Sequence, residues 1–505
     1  MAPPPSRTTR SLTRAVDGVR NHGAALAVAA AGGVASVAGS YAVTGFTPDF
    51  VGAATEGILR ELSPNALVAF AIEELGDLGH QLLLAGAIAV SVGLFALAGL
   101  AGVAVARRTD RLLPGVAGSG LLALGLASGL GTPPLSAVAI AAPAAAVPVA
   151  ERATGAPSTV SERRRRVLGS VGSLLGIAAV GTAVGTQRAP TVEPEELDAE
   201  EAADTEDLLA TAEEQSLAVG GIEGLVSDEF YEVDYSNFDP TVEKDNWSLT
   251  VTGEVEEEVE IDFDELQAME TEHRFVTLRC VGEALNGQKM DNALWTGTPV
   301  APLLEQAGPG GGCECVRLHA ADDYYQVFPI SALQTGFLAY GMNGTELPKG
   351  HGHPVRTLIP GHWGEINVKW VTEIEVLDEE AEGYWEERGW HGTGPVETVA
   401  KLHAVNHRDD GTVQVGGHAY AGTRGVETVE VSTDGGDTWT EATLSEPLPG
   451  DDVWRQWAHE FEPEGSQEVV VRAIDGNGDV QPREESDSFP SGATGWVSRT
   501  VEAER

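Results

Sequence analysis

The stretch "LPKGHGHPVRTLIPGHWGEINVKW", residues 347–370, decides how this chain is read. His351, His353, Arg356 and Lys369 stand close together in a glycine-rich frame. Arginine forks and backbone N–H groups match the oxygens of a phosphate. A basic pocket in so acidic a region implies an anionic ligand whose attraction justifies the local exception. Zinc competes for the His351-Gly352-His353 pair. Zinc hydrolases with that spacing go on to an aspartate and a third histidine, whereas Pro354-Val355-Arg356 follow here.

Upstream, "TLRCVGEALNG", residues 277–287, places Cys280 where an apolar-alternating run gives way to a loop. A thiolate there is a nucleophile, a soft-metal ligand or a packing residue. Nucleophilic catalysis needs a base within hydrogen-bond reach, and no local pattern identifies one. A lone thiolate suits a soft metal when a cofactor supplies the other ligands. The chain has three cysteines in all, too few for a disulfide framework. Cys313 and Cys315, two apart in a predicted strand, face one way and read as small buried residues.

The charge is divided unevenly. Residues 1–188 hold 14 basic against 10 acidic side chains, so nearly all of the net −46 lies beyond residue 188. Such a charge argues against nucleic acid and anionic lipid surfaces as partners. Tryptophans and alternating apolar runs continue to the C-terminus, which is the pattern of folded domains. Five lysines against 26 arginines, in a domain acidic throughout, resemble the proteins of salt-loving archaea, where salt screens self-repulsion within about 3 Å at about 1 M.

Residues 1–188 read as a transmembrane anchor of about five helices. The apolar stretches Ala24–Val43, Leu82–Ala106, Leu112–Leu130, Pro133–Ala150 and Val167–Gly185 are each near the roughly 20 residues that cross a bilayer. The fourth is short and carries internal prolines. Arginines precede the first span, separate the second from the third, and cluster at Arg163–Arg166 before the fifth; the segment Thr47–Gln81 is acidic. This pattern expects the N-terminus inside and the C-terminal part outside the membrane. The cluster also reads as a twin-arginine export signal. Residues 1–188 contain only His22 and His80, each near a helix edge, so no haem-binding bundle is expected. Residues 189–221 read as an acidic tether, partly helical, without a core-forming face.

Two outer domains follow. Residues 222–390 mix short strands with the helices of "DFDELQAM" and "PVAPLLEQAG", the second ending at Gly308 as a cap. Residues 391–505 read as strands and turns only, about seven strands at hairpin spacing, which expects an all-β immunoglobulin-like sandwich. "STDGGDTW", 432–439, fits the aspartate-box hairpin of some propellers, but it occurs once and a propeller repeats it.

Together, "FVTLRCVGEALNG", "NALWTGTPVAPLLEQAG", "FLAYGMNGTELPKGHGHPVRTLIPGHWGEINVKWVTEIEV", "VEVSTDGGDTW" and "VRAIDGNGDVQ" resemble the sulfite oxidase family of molybdopterin enzymes, from about Phe230 to the end. The resemblance implies an α+β molybdopterin domain followed by a dimerisation domain. It implies Cys280 as the molybdenum ligand and catalytic thiolate. It implies His351 and Arg356 as holders of the pterin and its phosphate, with Val368, Lys369 and Trp370 in the later cofactor segment. Asp322 and the stretch containing Tyr231, Asp234 and Tyr235 fall where the family contacts or opens its cofactor site.

The departures are as informative. Where sulfite oxidases open with an arginine that binds the anion, this chain reads "VDYSNF"; Glu283 and Ala284 stand where a second arginine is expected; and Trp390, with Tyr384 near, stands at the place of a catalytic tyrosine. The expectation is a membrane-anchored molybdenum oxidoreductase, outside the cell membrane, moving an oxygen atom to or from a small-molecule substrate. Electrons pass to a separate carrier, and the C-terminal domain makes a homodimer. Sulfite is disfavoured, because each lost charge-assisted hydrogen bond is worth about 1.5–3 kcal/mol. The alternatives are a sulfoxide-type reductase and an anchored binding protein that keeps the fold without cofactor.

Overall fold

The computed structural model describes residues 7–154, 160–188, 197 and 199–503. The chain divides into two compact units. The first comprises residues 1–64, 75–191 and 236–239, and the second 65–74, 192–235 and 240–505.

The first unit is helical: Arg7–Thr44, Val51–Leu62, Asp77–Thr109, Leu112–Gly129, Pro134–Ala153 and Val160–Thr186. Five stretches are long and apolar enough to cross a membrane: Gly23–Thr44, Leu78–Thr109, Leu112–Gly129, Pro134–Ala153 and Arg164–Thr186. They coincide with the five apolar runs of the sequence. Pro143 and Pro148 do not end the fourth helix; both are buried in it. Neighbouring helices can re-satisfy the backbone groups that a proline frees in such a bundle. Glycine lets the helices meet closely. A Cβ at Gly102 would come within 2.6 Å of the Gly115 carbonyl, and one at Gly39 within 2.5 Å of the Ala139 carbonyl. Small residues at crossings are how apolar helices gain dispersion contact without a hydrophobic driving force between them. The stretch read as an acidic loop is largely helical instead. Within it Glu56 is fully buried, and accepts bonds from the backbone N–H and the Nδ2 of Asn237, both at 3.1 Å. A buried carboxylate with three donors, Arg60 being the third at 3.7 Å, folds where a charge count alone suggests exposure.

The described residues of the second unit hold four β-sheets. In one sheet Glu272–Arg279, Met290–Pro299, Phe337–Met342 and Thr345–Glu346 pair antiparallel in that order, and Arg356–Leu358 adds to Phe337–Met342. In the next, the order is Val259–Asp262, Ser248–Gly253, Val371–Leu377, Cys315–Ala320 and Tyr325–Pro329; the Ser248–Gly253 and Val371–Leu377 pair is parallel. A core of Leu249, Leu303, Val316, Leu318, Leu338 and Ile374, all at most 3 % exposed, lies among these strands. Two helices anticipated in the sequence are present. Phe263–Gln267 starts at an Asp262 capping box, and Ala301–Ala307 ends at Gly308 with φ 63°, where glycine costs least.

The C-terminal part, from Val399 to Glu502, is a pair of antiparallel sheets. Val399–Ala400, Val413–Tyr420, Arg455–Phe461 and Thr443–Leu444 form one, with Ala404–His407 on its edge; Thr440–Glu441, Val426–Ser432, Ser466–Asp475 and Val497–Glu502 form the other. Val415, Val429, Trp457, Val469 and Val471, all fully buried, fill the space between. "STDGGDTW" is the single turn between Val426–Ser432 and Thr440–Glu441, where the Asp434 carboxylate gathers Thr438 and Ser432.

Two sequence expectations are corrected. The tether 189–221 lies in part outside the described residues, but Ala199–Gln215 is a helix with a core-forming face. Ala212 is 1 % exposed, and Leu208 and Leu209 pack beside Leu294 and Trp454. The interrupted apolar pattern of the helix hid this, because its few leucines are spread among glutamates. Second, Cys313 and Cys315 are joined in a disulfide, with Cα atoms 5.2 Å apart. Cys313 lies outside the strand, in the bend that precedes it, and that bend is what turns its sulfur to meet its neighbour's.

Candidate active site

The strand Glu272–Arg279 is buried from Phe275 onward and delivers Cys280 at its end. The loop that follows is closed by its own backbone: Cys280 N–H donates to Lys289 O at 3.0 Å, Glu283 N–H to Cys280 O at 3.3 Å, and Gly287 N–H to Ala284 O at 2.8 Å. Cys280 keeps some exposed surface. Bare backbone passes beside it at Gly282, where a Cβ would lie 2.9 Å from Ile72 Cγ2, 3.6 Å from the Trp390 ring and 3.9 Å from Cys280 Sγ. Burial of the sulfur pushes the thiol up to about 11; the Lys289 charge opposes this, and Glu283 and Glu365 add to it. At neutral pH the thiol therefore holds its proton, and only a strongly binding soft cation displaces it.

Behind the loop lies a buried ionic cluster. Glu283 accepts from Lys401 Nζ at 2.5 Å, from Arg279 Nε at 3.4 Å and from the Lys289 N–H. Arg279 also donates to the carbonyls of Glu397 at 3.1 Å and Ala493 at 2.9 Å, and Lys401 to Gly287 O at 3.0 Å. All three charged side chains are at most 1 % exposed. Glu283, standing where an arginine was expected, thus ties the cysteine loop to the residues that open the C-terminal sandwich.

The basic recess forms on the loop from Pro348 to Trp370. Arg356 Nη1 donates to His351 O at 3.2 Å and Nη2 to Asn367 O at 3.0 Å, while its guanidinium lies 5.2 Å from the Trp295 ring. Its Nε is buried and has no hydrogen-bond partner among the described residues; the same holds for Trp370 Nε1. Lys369 Nζ donates to Gly350 O at 2.7 Å and pairs with Asp234 at 2.5 Å. Gly352 has φ 111°, and a Cβ there would press on Lys369 and Arg356 at 3.0–3.1 Å. Burial, helped by the charges of Arg356 and Lys369, lowers His351 to about 3, so it is neutral at pH 7. Burial lowers Arg356 to about 10, which leaves it charged.

These contacts bring most of the anticipated residues together. Tyr231 is within electrostatic reach of both Cys280 and Arg356, its N–H donates to Asp291 at 2.8 Å, and its hydroxyl lies against the backbone of Gly364. Asp322 accepts through its backbone from the Tyr235 hydroxyl and through its side chain from Tyr324 N–H at 3.2 Å. Its carboxyl is raised to about 6, mainly by burial. Trp370 holds φ 51° and receives the Ala321 N–H at 2.9 Å, which fixes the Asp322 turn beside it. Val368 differs: its side chain belongs to the domain core, and it serves the loop through its carbonyl, which accepts from Thr357 at 2.9 Å. His353 turns away to Leu347 O at 3.2 Å. No trio of His, Cys, Asp or Glu among the described residues is placed to hold a metal ion.

Sequence reasoning missed a second acidic pair. Glu365 and Glu386 lie with Gln326, Tyr324 and Tyr384 in an aromatic pocket, with Tyr384 4.9 Å from Tyr235 and 5.7 Å from Tyr324 by ring centroids. Trp390 walls the Cys280 loop, and Tyr384 sits in this neighbouring cluster, so the two candidates for the family's tyrosine place take different positions. No local pattern marks the glutamates, because their partners come from separate turns.

A molybdopterin fits this donor set. One thiol, on the half-buried Cys280, is available to a soft metal. Two buried N–H groups without partners and a charged guanidinium are available to a pterin and its phosphate, and backbone without side chains lets a planar ligand approach.

Comparisons with known proteins agree with that fit. Residues 237–385 match the family described as oxidoreductase molybdopterin binding domain, and residues 395–492 match the Mo-co oxidoreductase dimerisation domain. The mitochondrial sulfite oxidase of Rattus norvegicus is 28% identical over 304 residues, 48% of this chain and 54% of that protein. The sulfite oxidase of Arabidopsis thaliana is 26% identical, over 47% of this chain and 77% of that protein. The NADH nitrate reductase of Spinacia oleracea is 26% identical, over 48% of this chain and 34% of that protein. The chain thus spans about half the length of the rat relative. Among solved structures, the sulfane dehydrogenase SoxCD from Paracoccus pantotrophus superposes with TM-score 0.46 at 19% identity, over 54% of this chain and 81% of that one. The two matched domains, in this order, make residues 237–492 a molybdopterin-dependent oxidoreductase unit similar to that of the sulfite oxidases.

Proposed function

We propose that the protein is a membrane-anchored molybdenum oxidoreductase that transfers an oxygen atom between a small substrate and water. The observation that carries this reading is the pairing of Cys280, a half-buried residue at a strand end, with a recess of buried donors that have no hydrogen-bond partner among the described residues, Arg356 Nε and Trp370 Nε1. Cys280 would hold the metal. Arg356, His351, Lys369 and Trp370 would hold the pterin and its phosphate, with Tyr231, Asp234, Tyr235, Asp322 and the Val368 carbonyl bracing them. Bound there, molybdopterin supplies two-electron oxygen-atom exchange, which no side chain in the chain can perform. The protein contributes orientation: Arg356 stays charged at pH 7, and His351 stays neutral and able to accept or donate one hydrogen bond.

The remaining assignments rest on sequence and fold. Five apolar helices support a multi-pass anchor in the cell membrane. The arginine placement supports an outer location for the second unit, and Arg164-Arg165 supports export of a folded, loaded domain. The dimerisation-domain match supports a homodimer through residues 391–505, and the two facing antiparallel sheets support an immunoglobulin-like sandwich there. The electrons go to or come from a separate one-electron carrier. The acidic, lysine-poor surface suits a salt-rich medium.

Metal analysis of the purified protein, expressed in a host that makes the cofactor, tests the reading. About one molybdenum per chain is expected, with loss in Cys280→Ser. Wild-type protein without molybdenum would leave the anchored binding protein as the better account.

A further inference from the structure

Residues 65–74 lie between the first two membrane-length stretches, Gly23–Thr44 and Leu78–Thr109, yet they belong to the second compact unit. They fold as the helix Asn65–Phe70 and the start of a π-helical turn, Ala71–Leu75. Such turns are rare and are found frequently at functional sites. Asn65 Nδ2 donates to Glu387 O at 3.3 Å. Ile72 packs on the apolar cluster that contains Val281 and Trp390, beside Leu285 and Trp385.

This packing carries Ile72 to the loop that follows Cys280. A Cβ at Gly282 would lie 2.9 Å from Ile72 Cγ2, 3.6 Å from the Trp390 ring and 3.9 Å from Cys280 Sγ. The last two are ordinary van der Waals distances, whereas the first is too short for any real Cβ. The backbone at Gly282 is outside the left-handed region, so its conformation does not demand glycine. Ile72 is therefore the group that leaves no space for a side chain there, and it stands across one missing side chain from the sulfur. Both Ile72 and Cys280 are half-buried and keep exposed surface. The polar neighbour in the loop, Glu283, is taken up by Arg279, Lys401 and the Lys289 N–H. A ligand that reaches the sulfur past Gly282 meets a hydrocarbon side chain and an indole.

We infer that Ile72 is a specificity-determining residue of the Cys280 site. Residues 65–74 supply an apolar wall that limits the size of what approaches the sulfur and favours a substrate with a compact apolar group next to its reacting atom. The inference rests on the molybdenum reading above for the reaction served, but the wall can be tested at the sulfur itself. Cys280 is the one free thiol of the chain, because Cys313 and Cys315 are bonded to each other.

The test uses the full-length protein in detergent, made cofactor-free in a host that cannot synthesise molybdopterin. Alkylation of Cys280 is timed by mass spectrometry of its peptide, with N-methylmaleimide as the small probe and N-pyrenylmaleimide as the bulky one. Ile72→Ala is expected to raise the bulky-to-small rate ratio about tenfold or more, in the range by which apolar walls discriminate. Ile72→Val, which removes one methyl, shifts the ratio the same way by less, and keeps the test open if the alanine variant does not fold. Gly282→Ala is expected to lower the ratio, and Ile72→Ala/Gly282→Ala to return it towards the wild-type value, because the shortened side chain makes room for the new methyl. A merely structural role for Ile72 would speed both probes alike. That result, an unchanged ratio, a Gly282→Ala effect that Ile72→Ala does not relieve, or no reaction in any cofactor-free variant overturns the inference. In protein from a cofactor-making host, Cys280 is expected to resist both probes. If that protein holds no molybdenum and Cys280 still reacts, the metal reading fails, while the probe ratio still decides the role of Ile72.

Discussion

Two buried ionic groups flank Cys280, and they are built on opposite principles. On one side Glu283 takes up Arg279, Lys401 and a backbone N–H, and the cations spend their remaining hydrogens on carbonyls. On the other, Gln326 donates to Glu365 alone, and three oxygens of Glu365 and Glu386 have no hydrogen-bond partner among the described residues. A folded chain gains nothing in stability from the second arrangement, since like charges in a low-dielectric pocket repel. The satisfied cluster reads as architecture and the unsatisfied one as function, because strain of this kind persists where chemistry uses it.

The sharpest way to break the contrast is to remove one member of the satisfied cluster. Truncating Glu283 to alanine strands the buried charges of Arg279 and Lys401, and Lys401→Met strands part of Glu283. Losing one partner of a buried pair costs about 3–5 kcal/mol. Each variant should unfold at much lower denaturant than wild type, and the double variant Glu283→Ala/Lys401→Met should cost less than the two singles summed. Additive costs in chemical denaturation would show that the cluster is not one unit.

How much of this was legible beforehand depends on how local each feature is. The five apolar helices and the short helix capped by Gly308 each rest on residues close in sequence, so length and caps sufficed. The carboxyl pair was illegible because Gln326, Glu365, Glu386 and Gly392 meet only through the tertiary fold. The same holds for the strut, whose Lys401 lies 118 residues from Glu283. The buried face of Ala199–Gln215 escaped a reading based on charge, since Ala212, Leu208 and Leu209 are enough to dock a helix whose other faces are acidic. The Cys313–Cys315 bridge required knowing that the chain bends before the strand begins.

A subtler intervention leaves every charge in place. Gly392 faces the Glu365 carboxyl, so Gly392→Ala must push that carboxyl off its seat. Overpacking of this sort costs about 1–3 kcal/mol. The expected outcome is a modest loss of stability by calorimetry, with the infrared carboxyl band of Glu365 moved from its wild-type position. Gly394, two residues on, has open space at its Cβ position, so Gly394→Ala is the control and should leave both readings unchanged.

The smallest effect is the one whose sign separates the two clusters most cleanly. The Glu365 carboxyl is raised in the folded protein above its unfolded value, so the native state binds the proton more tightly than the unfolded chain. Stability must then fall as pH rises from the ordinary glutamate range, near pH 4.3, to the raised folded value, because over that interval only the unfolded chain releases the proton freely. Below that range both states are protonated, and the penalty vanishes. Glu365→Gln removes the titration and keeps the shape. The difference in stability between Glu365→Gln and wild type should therefore grow in favour of the variant as pH rises above about 4.3, and level off once the folded carboxyl has ionised. The measurement is the denaturation midpoint of both proteins at matched, high ionic strength across that interval. A pH-independent difference would mean that Glu365 is ionised in the fold at every pH tested, like an ordinary carboxylate, and the contrast with the Glu283 cluster would lose its physical basis.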